Sequence, residues 1–193
     1  MKKLLPVSVL AMFVSQADAF LVDFYVGGTI GMGENIAMLP SSMDLGDIRQ
    51  GSRSYGAVAG IDIPFLRFEG EYNFIAADNA NLQAAMANVY FKFSTPIITP
   101  YIGGGVGRVF GASMGDVEIP ILGAATIAGQ GAMAYQGMLG LTVDLPFLPV
   151  KIDLEGRVFF TPDAFVATMP VTSELQNVGF LQYDVRAKLR YVF

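Results

Sequence analysis

The 193-residue chain contains no cysteine, no histidine and no tryptophan, and only 15% of its residues are charged. Without cysteine there is no disulfide framework, thiol nucleophile or thiolate-ligated zinc. Without histidine there is no Ser-His-Asp triad and no imidazole-ligated metal. Positive charge is also scarce: 12 Lys and Arg stand against 17 Asp and Glu, a net charge of −5 that offers nucleic acid no basic surface. A long uncharged apolar run of the length a spanning helix needs is missing too. Yet 53% of the chain is apolar and 22 residues are glycine, which is too hydrophobic for a disordered polymer. That apolar surface has to be accommodated by something other than a membrane helix.

The first residues have the layout of an export signal. Lys2 and Lys3 precede an apolar stretch from Leu4 to Val14, and Ala17 and Ala19 frame a small-residue cleavage site before Phe20. The apolar stretch is shorter than the roughly 20 residues of a spanning helix, which favours a cleaved signal over an anchor. Residues 1–19 are therefore expected to be a signal peptide and 20–193 the mature domain.

Beyond Phe20 the hydropathy alternates with period two. In Arg67–Phe74 one face carries Phe68, Gly70, Tyr72 and Phe74, and the other Arg67, Glu69, Glu71 and Asn73. Val150–Phe160 and Leu181–Phe193 divide in the same way. The alternation predicts eight strands, near 22–32, 53–63, 66–75, 84–94, 100–110, 132–145, 150–160 and 180–193. Each is about the 9–11 residues that a tilted strand needs to cross a bilayer. Short turns after strands two, four and six alternate with longer segments near 33–52, 76–83, 111–131 and 161–179. Two Asp-x-Pro-Phe-Leu turns, at 62–66 and 144–148, and two Tyr-x-Gly-Gly strands, at 25–28 and 101–104, give the halves a common pattern.

Polarity decides what kind of barrel this is. Asp23, Asp62, Glu69, Glu71, Asp144, Asp153, Glu155 and Asp184 share the polar strand faces with Arg67, Lys92, Lys151, Arg157, Arg186, Lys188 and Arg190. Such balanced charge suits a narrow lumen, where water is scarce and each ion needs a partner. Inward-facing Gly27, Gly31, Gly103, Gly105 and Gly107 would leave space for the long ionic side chains. The other face carries Arg108 alone, with aromatics towards the strand ends, among them Tyr55, Tyr72, Phe91, Phe93, Tyr183, Tyr191 and Phe193, as membrane-interface belts do. The expected fold is an all-β, antiparallel, up-and-down transmembrane β-barrel of eight strands.

With Tyr25–Gly31 in the first strand, Thr99–Gly107 opening the fifth and Leu189-Arg190-Tyr191-Val192-Phe193 at the end, residues 20–193 resemble the eight-stranded outer-membrane barrels of Gram-negative bacteria, of the OmpA-like transmembrane, OmpX and opacity-protein type. The resemblance implies a site in the outer membrane, with lipid around the barrel and the N-terminus on the periplasmic side. It implies recognition of the C-terminal strand, through Tyr191 and Phe193, by the barrel-assembly machinery, and long loops facing outward towards an extracellular surface partner. A monomer with no enzymatic role, no cofactor and no metal is the expectation. Membrane hydrolases and acyltransferases of this class rely on a His, which this chain lacks.

Other chemistry fits poorly. Gly103–Gly107 lacks the Lys-Ser/Thr of a phosphate loop. Glu69, Glu71, Asp153 and Glu155 alternate with cations that would hold them ionised rather than raise one pKa for acid catalysis. Two roles remain for the charge network of Arg67, Glu69, Glu71, Lys92, Lys151, Asp153, Glu155, Arg157, Asp184, Arg186, Lys188 and Arg190. It is a salt-bridged plug, or, as the OmpA resemblance implies, a narrow porin-like ion path in which Glu71 exchanges Lys92 for Arg186. A soluble periplasmic carrier is the third reading, disfavoured by the inward charge. The terminal signal has a direct consequence: deletion of Phe193 is expected to reduce the heat-modifiable, folded form recovered from cells, as read by gel migration with and without boiling.

Overall fold

The computed structural model describes residues 22–38, 48–77, 80–93, 95, 98–114, 118–119, 123–124, 131–145, 147–168 and 175–193. The signal segment, with Ala17 and Ala19, lies outside the described residues. The strands are β1 (Asp23–Met38), β2 (Ile48–Asp62), β3 (Leu66–Ala77), β4 (Ala80–Lys92), β5 (Ile98–Met114), β6 (Glu118–Ile119), β7 (Gly123–Ala124), β8 (Met133–Asp144), β9 (Val150–Thr168) and β10 (Leu175–Val192). Eight of them form one closed antiparallel wall in the order β1-β2-β3-β4-β5-β8-β9-β10, and β10 returns to β1 from Tyr25↔Val192 to Met38↔Gly179. The two-residue strands β6 and β7 pair only with each other. Closure leaves the eight-strand wall without an unpaired side along its shared length.

The alternation of the sequence becomes an alternation of burial. Along β3 and β8 every second side chain is buried inside the cylinder and its neighbours face out. The outward set is apolar: Ile30, Met32, Phe68, Phe91, Ile102, Leu139, Leu154, Val185 and Leu189 are all exposed. The inward set holds the ions, with Arg67, Asp153, Arg186 and Arg190 fully buried. An exterior of exposed Leu, Ile, Val and Phe around an ionic interior is inside-out relative to a water-soluble barrel.

The walls run further than the alternation predicts. At the long-loop end β1 reaches Met38, β5 Met114 and β9 Thr168, while β2 begins at Ile48 and β10 at Leu175. The expected long segment near 76–83 is a hairpin: the ladder continues to Ala77↔Ala80, leaving Asp78 and Asn79 between the strands. The other extensions turn parts of the segments near 33–52, 111–131 and 161–179 into ladder. The reason is a reversal of polarity across the wall. Above the ionic lumen the inward residues include the apolar cluster Ile75, Leu82, Ala84, Val109, Ala134, Phe159 and Phe180 beside the uncharged Asn35, Ser52, Thr161 and Gln182, while Glu34, Arg53 and Asn81 face outward. A period-two pattern whose polar face changes sides part-way along a strand reads as no pattern.

Narrowness is built from glycine. A Cβ on Gly103 would enter the Tyr90 ring, and one on Gly107 would meet the Ala85 carbonyl and the Met86 sulfur. Gly137 faces outward with nothing within 4 Å of where a Cβ would stand. Gly107→Ala is therefore expected to cost about 1–3 kcal/mol through overpacking against backbone, whereas Gly137→Ala should be neutral or gain about 0.5–1 kcal/mol from strand propensity. Urea midpoints in detergent micelles measure both.

Candidate functional site

The lumen network is assembled by strand phase. Arg186, Lys188 and Arg190 on β10, Asp153, Glu155 and Arg157 on β9, and Arg67, Glu69 and Glu71 on β3 occupy alternate positions and so point the same way, inward. At the short-turn end Lys151 Nζ lies 3.5 Å from Asp23, 3.6 Å from Asp62 and 3.7 Å from Asp144. Lys92 pairs with Asp62. These groups, with Thr95, Thr99, Thr142 and Arg190, line a cavity of about 280 Å³ at the mouth.

Deeper in, Arg190 holds Asp153 with two hydrogen bonds of 2.8 and 2.9 Å and reaches Asp62 at 3.2 Å. Arg67 donates to Asp153 at 3.1 Å, and its guanidinium sits 3.9 Å from the Tyr90 ring centre and 4.5 Å from that of Tyr101. Glu69 accepts from Lys188 at 2.7 Å, Tyr25 at 2.7 Å and Tyr90 at 2.8 Å. At mid-lumen Arg186 bridges Glu71 and Glu155, while Glu71 also accepts from Asn88 and Gln136, both at 2.8 Å. Higher still, Arg157 grips Asp184 with bonds of 2.9 and 2.6 Å, and Ser54 donates to the same carboxylate at 2.7 Å.

Six carboxylates (Asp62, Glu69, Glu71, Asp153, Glu155, Asp184) thus meet six cations (Arg67, Lys92, Arg157, Arg186, Lys188, Arg190), and each of the twelve has at least one ion-pair partner. Eleven are buried and Lys92 stands at the mouth with its side chain 10% exposed. In a region of low dielectric an unpartnered ion would be strongly penalised, so pairing is the condition for these groups to be there at all. The network stops beneath an apolar layer of Ile75, Leu82, Ala84, Met86, Val109, Ala134, Phe159 and Phe180, in which the Phe159 and Phe180 rings meet edge to face at 6.3 Å. The interior is therefore ionic from the short turns to Asp184 and mixed above it, where buried Asn35, Ser52, Thr161 and Gln182 stand beside the apolar cluster and Gln182 links Arg157 to Ser52.

All twelve predicted lumen residues lie on the inward or mouth side of the wall. One pairing differs from expectation. Lys92 contacts Asp62 rather than Glu71, because its β4 position is close to the short-turn end while Glu71 stands opposite Met86, six residues further up the same strand. Tyr191 and Phe193 face outward at the short-turn end, their rings 5.2 Å apart, and the Phe193 N–H donates to the Phe24 carbonyl at 2.9 Å. Sequence reasoning missed Tyr25, Tyr90 and Tyr101, which point inward and hydrogen-bond Glu69 and Glu155. Their signal was phase: Tyr25 is in step with Gly27, Tyr101 with Gly103, and Tyr90 with Lys92. The apolar layer was missed as well, although Ile75 and Phe159 continue the inward phase of β3 and β9.

Among solved structures the chain is similar to the Neisserial surface protein A, NspA, with a TM-score of 0.58, 20% identity and coverage of 88% of this chain and 97% of that one. The fold is that of the eight-stranded outer-membrane barrels. The outer-membrane enzyme PagL (TM-score 0.46, 11% identity, 84% and 97% covered) and Ail, the attachment invasion locus protein of Yersinia pestis (0.42, 10%, 88% and 99%), are more distant matches to this barrel. No protein-family model and no curated protein matches the chain.

Arg186 bridges two carboxylates, and its loss leaves Glu71 without a cation and Glu155 with Lys188 alone, at 3.8 Å. Arg186→Leu is expected to destabilise the barrel by about 3–5 kcal/mol, and adding Glu71→Gln should recover part of that loss. Urea unfolding in detergent checks both variants.

Proposed function

We propose that this protein is a non-enzymatic outer-membrane barrel of a Gram-negative bacterium, a monomer that supports envelope integrity and presents its long-loop end for surface contact and adhesion. The observation that carries this reading is the pairing of polarity with closure: an apolar exterior surrounds a lumen in which every buried carboxylate is already neutralised by a cation. Paired ions of this kind are held in place, which suits a plug better than acid–base chemistry. In this orientation the short turns are periplasmic, as are the start of β1 and the end of β10, and the extended hairpins face outward.

Support for surface contact comes from the wall itself. Strands of 16 to 19 residues, such as β1, β5, β9 and β10, exceed the about 9–11 that a bilayer requires. The excess stands at the long-loop end, where the extended ladders carry the connections away from the wall. The name of NspA, a surface protein, agrees with this placement. Insertion through the barrel-assembly machinery by way of the C-terminal strand, with outer-membrane lipid around the wall, completes the reading.

A second reading, a narrow ion-conducting pore, draws on one feature: ion pairs recur from the mouth to Asp184 in three clusters, around Asp62, Arg190 and Asp153, around Lys188, Glu155 and Arg186, and at Arg157–Asp184. The layer above Asp184 opposes it, because it carries no charged side chain among the described buried residues and packs Phe159 and Phe180 where an ion would have to pass. Planar-bilayer recording separates the two. The native protein is expected to give no steady conductance. Steady channels that change with Glu71→Lys or Arg186→Glu would replace the plug by the pore.

A further inference from the structure

The cavity at the short-turn mouth is polarised along its depth. Asp23 and Asp144 stand at the rim, with side chains 50% and 51% exposed, while Lys151 follows at 24% and Asp62 and Arg190 form the floor at 3% and 0%. Beneath that floor Arg190 shares Asp153 with Arg67, whose Nε and Nη2 have no hydrogen-bond partner among the described residues. With Lys92, paired to Asp62, these groups form one ion-pair cluster of four carboxylates and four cations. The cluster is neutral as a whole but not uniform. Two of its carboxylates are at the rim, so the part within holds four cations against Asp62 and Asp153. A negative rim stands over a positive floor.

Hydrogen bonding at the rim is unfinished. The Lys151 ammonium carries three donors, yet the carboxylate oxygens paired with it on Asp23, Asp62 and Asp144 lie 3.5, 3.6 and 3.7 Å away, beyond the roughly 2.7–3.2 Å of a well-made N–H···O bond. Asp23 and Asp144 have no other ion-pair partner among the described residues. Carboxylates and an ammonium held at that spacing leave room between them for a group that both donates and accepts. The cavity of about 280 Å³ is just below the roughly 300 Å³ at which pockets for drug-sized ligands begin, so its occupant is small. A bare anion would be repelled by Asp23 and Asp144, and a bare cation would meet Lys151, Lys92 and Arg190 further in. A molecule that carries both charges close together satisfies rim and interior at once.

We propose that the short-turn mouth is a binding site for a small zwitterion of the α-amino acid class, its carboxylate inward on Lys151 and its ammonium outward to Asp23 and Asp144. One carbon separates the two charges of such a ligand, as one layer of side chains separates the rim from Lys151. The site lies at the opposite end of the barrel from the loops assigned to surface contact and stands without that reading.

Three probes of similar size test it: L-alanine, propionate, which lacks the ammonium, and ethylamine, which lacks the carboxylate. The isotope-labelled protein is folded in a non-ionic detergent, whose headgroups bring no competing charge, and the amide resonances of Asp62, Thr99, Thr142 and Lys151, all lining the cavity, are followed by NMR at constant ionic strength. L-Alanine is expected to shift them saturably, and each half-molecule to bind about tenfold or more weakly. Asp23→Asn combined with Asp144→Asn is expected to weaken L-alanine by about tenfold and to strengthen propionate, because the repelling rim is gone while the cationic interior remains. Absence of a saturable shift with L-alanine would overturn the proposal. So would equal binding of ethylamine or propionate by the native protein, which would mean an ordinary counter-ion. Lys151→Met, checked for folding by heat-modifiable migration, is expected to abolish the L-alanine response, and an unchanged response in the folded variant would remove Lys151 from the site and the proposal with it. The three-probe comparison on the native protein decides the matter even where a variant does not fold.

Discussion

Ions enclosed in a cylinder of eight strands have to neutralise one another, and much of this protein follows from that constraint. With room only for side chains, the lumen cannot offer each charge a hydration shell. The chain answers with six carboxylates and six cations, hydroxyls from Tyr25, Tyr90, Tyr101, Ser54 and Thr142, and amides from Asn88, Gln136 and Gln182 that take up remaining hydrogen-bonding positions. Glycines on β1 and β5 are the spatial counterpart of those long side chains: where Tyr90 lies flat, Gly103 stands beneath it. Removing one member leaves its partners charged, buried and alone, which is why such networks are rigid rather than adjustable.

The interior is not uniform along the axis. Ionic contacts give way above Asp184 to Phe159, Phe180, Ile75 and their neighbours, with the Arg157 guanidinium 5.5 Å from the Phe159 ring at the boundary. The charged section ties β2, β3, β4, β9 and β10 together across the lumen, and the apolar section closes it by simple packing. An arrangement of this kind favours a plugged scaffold over a conduit.

Much of this was legible in one sequence because a strand's alternation is a local property. The inward set of β3, β9 and β10 could be read from Arg67, Glu69, Glu71, Asp153, Glu155, Arg157, Arg186, Lys188 and Arg190, since each stands two residues from the next on its own strand. The same logic failed in two places. Tyr25, Tyr90 and Tyr101 are amphipathic, so their residue type does not say whether they face lipid or lumen, and neighbouring apolar residues drew attention to the outside. The upper ends of β1 and β4 fell outside the expected strands because polarity reverses there, putting Leu82 within and Glu34 and Asn81 without.

By itself the sequence determined the number of strands that cross the bilayer, the side each faces and the overall balance of charge, because these depend only on period and composition. Who pairs with whom was left to the folded barrel. Asp62 meets Lys92 and Arg190, Glu71 meets Arg186, and Lys151 draws in three carboxylates, because ring closure and strand register bring residues up to 128 positions apart to the same height. Register is a sum over every ladder in the wall, and no single strand contains it.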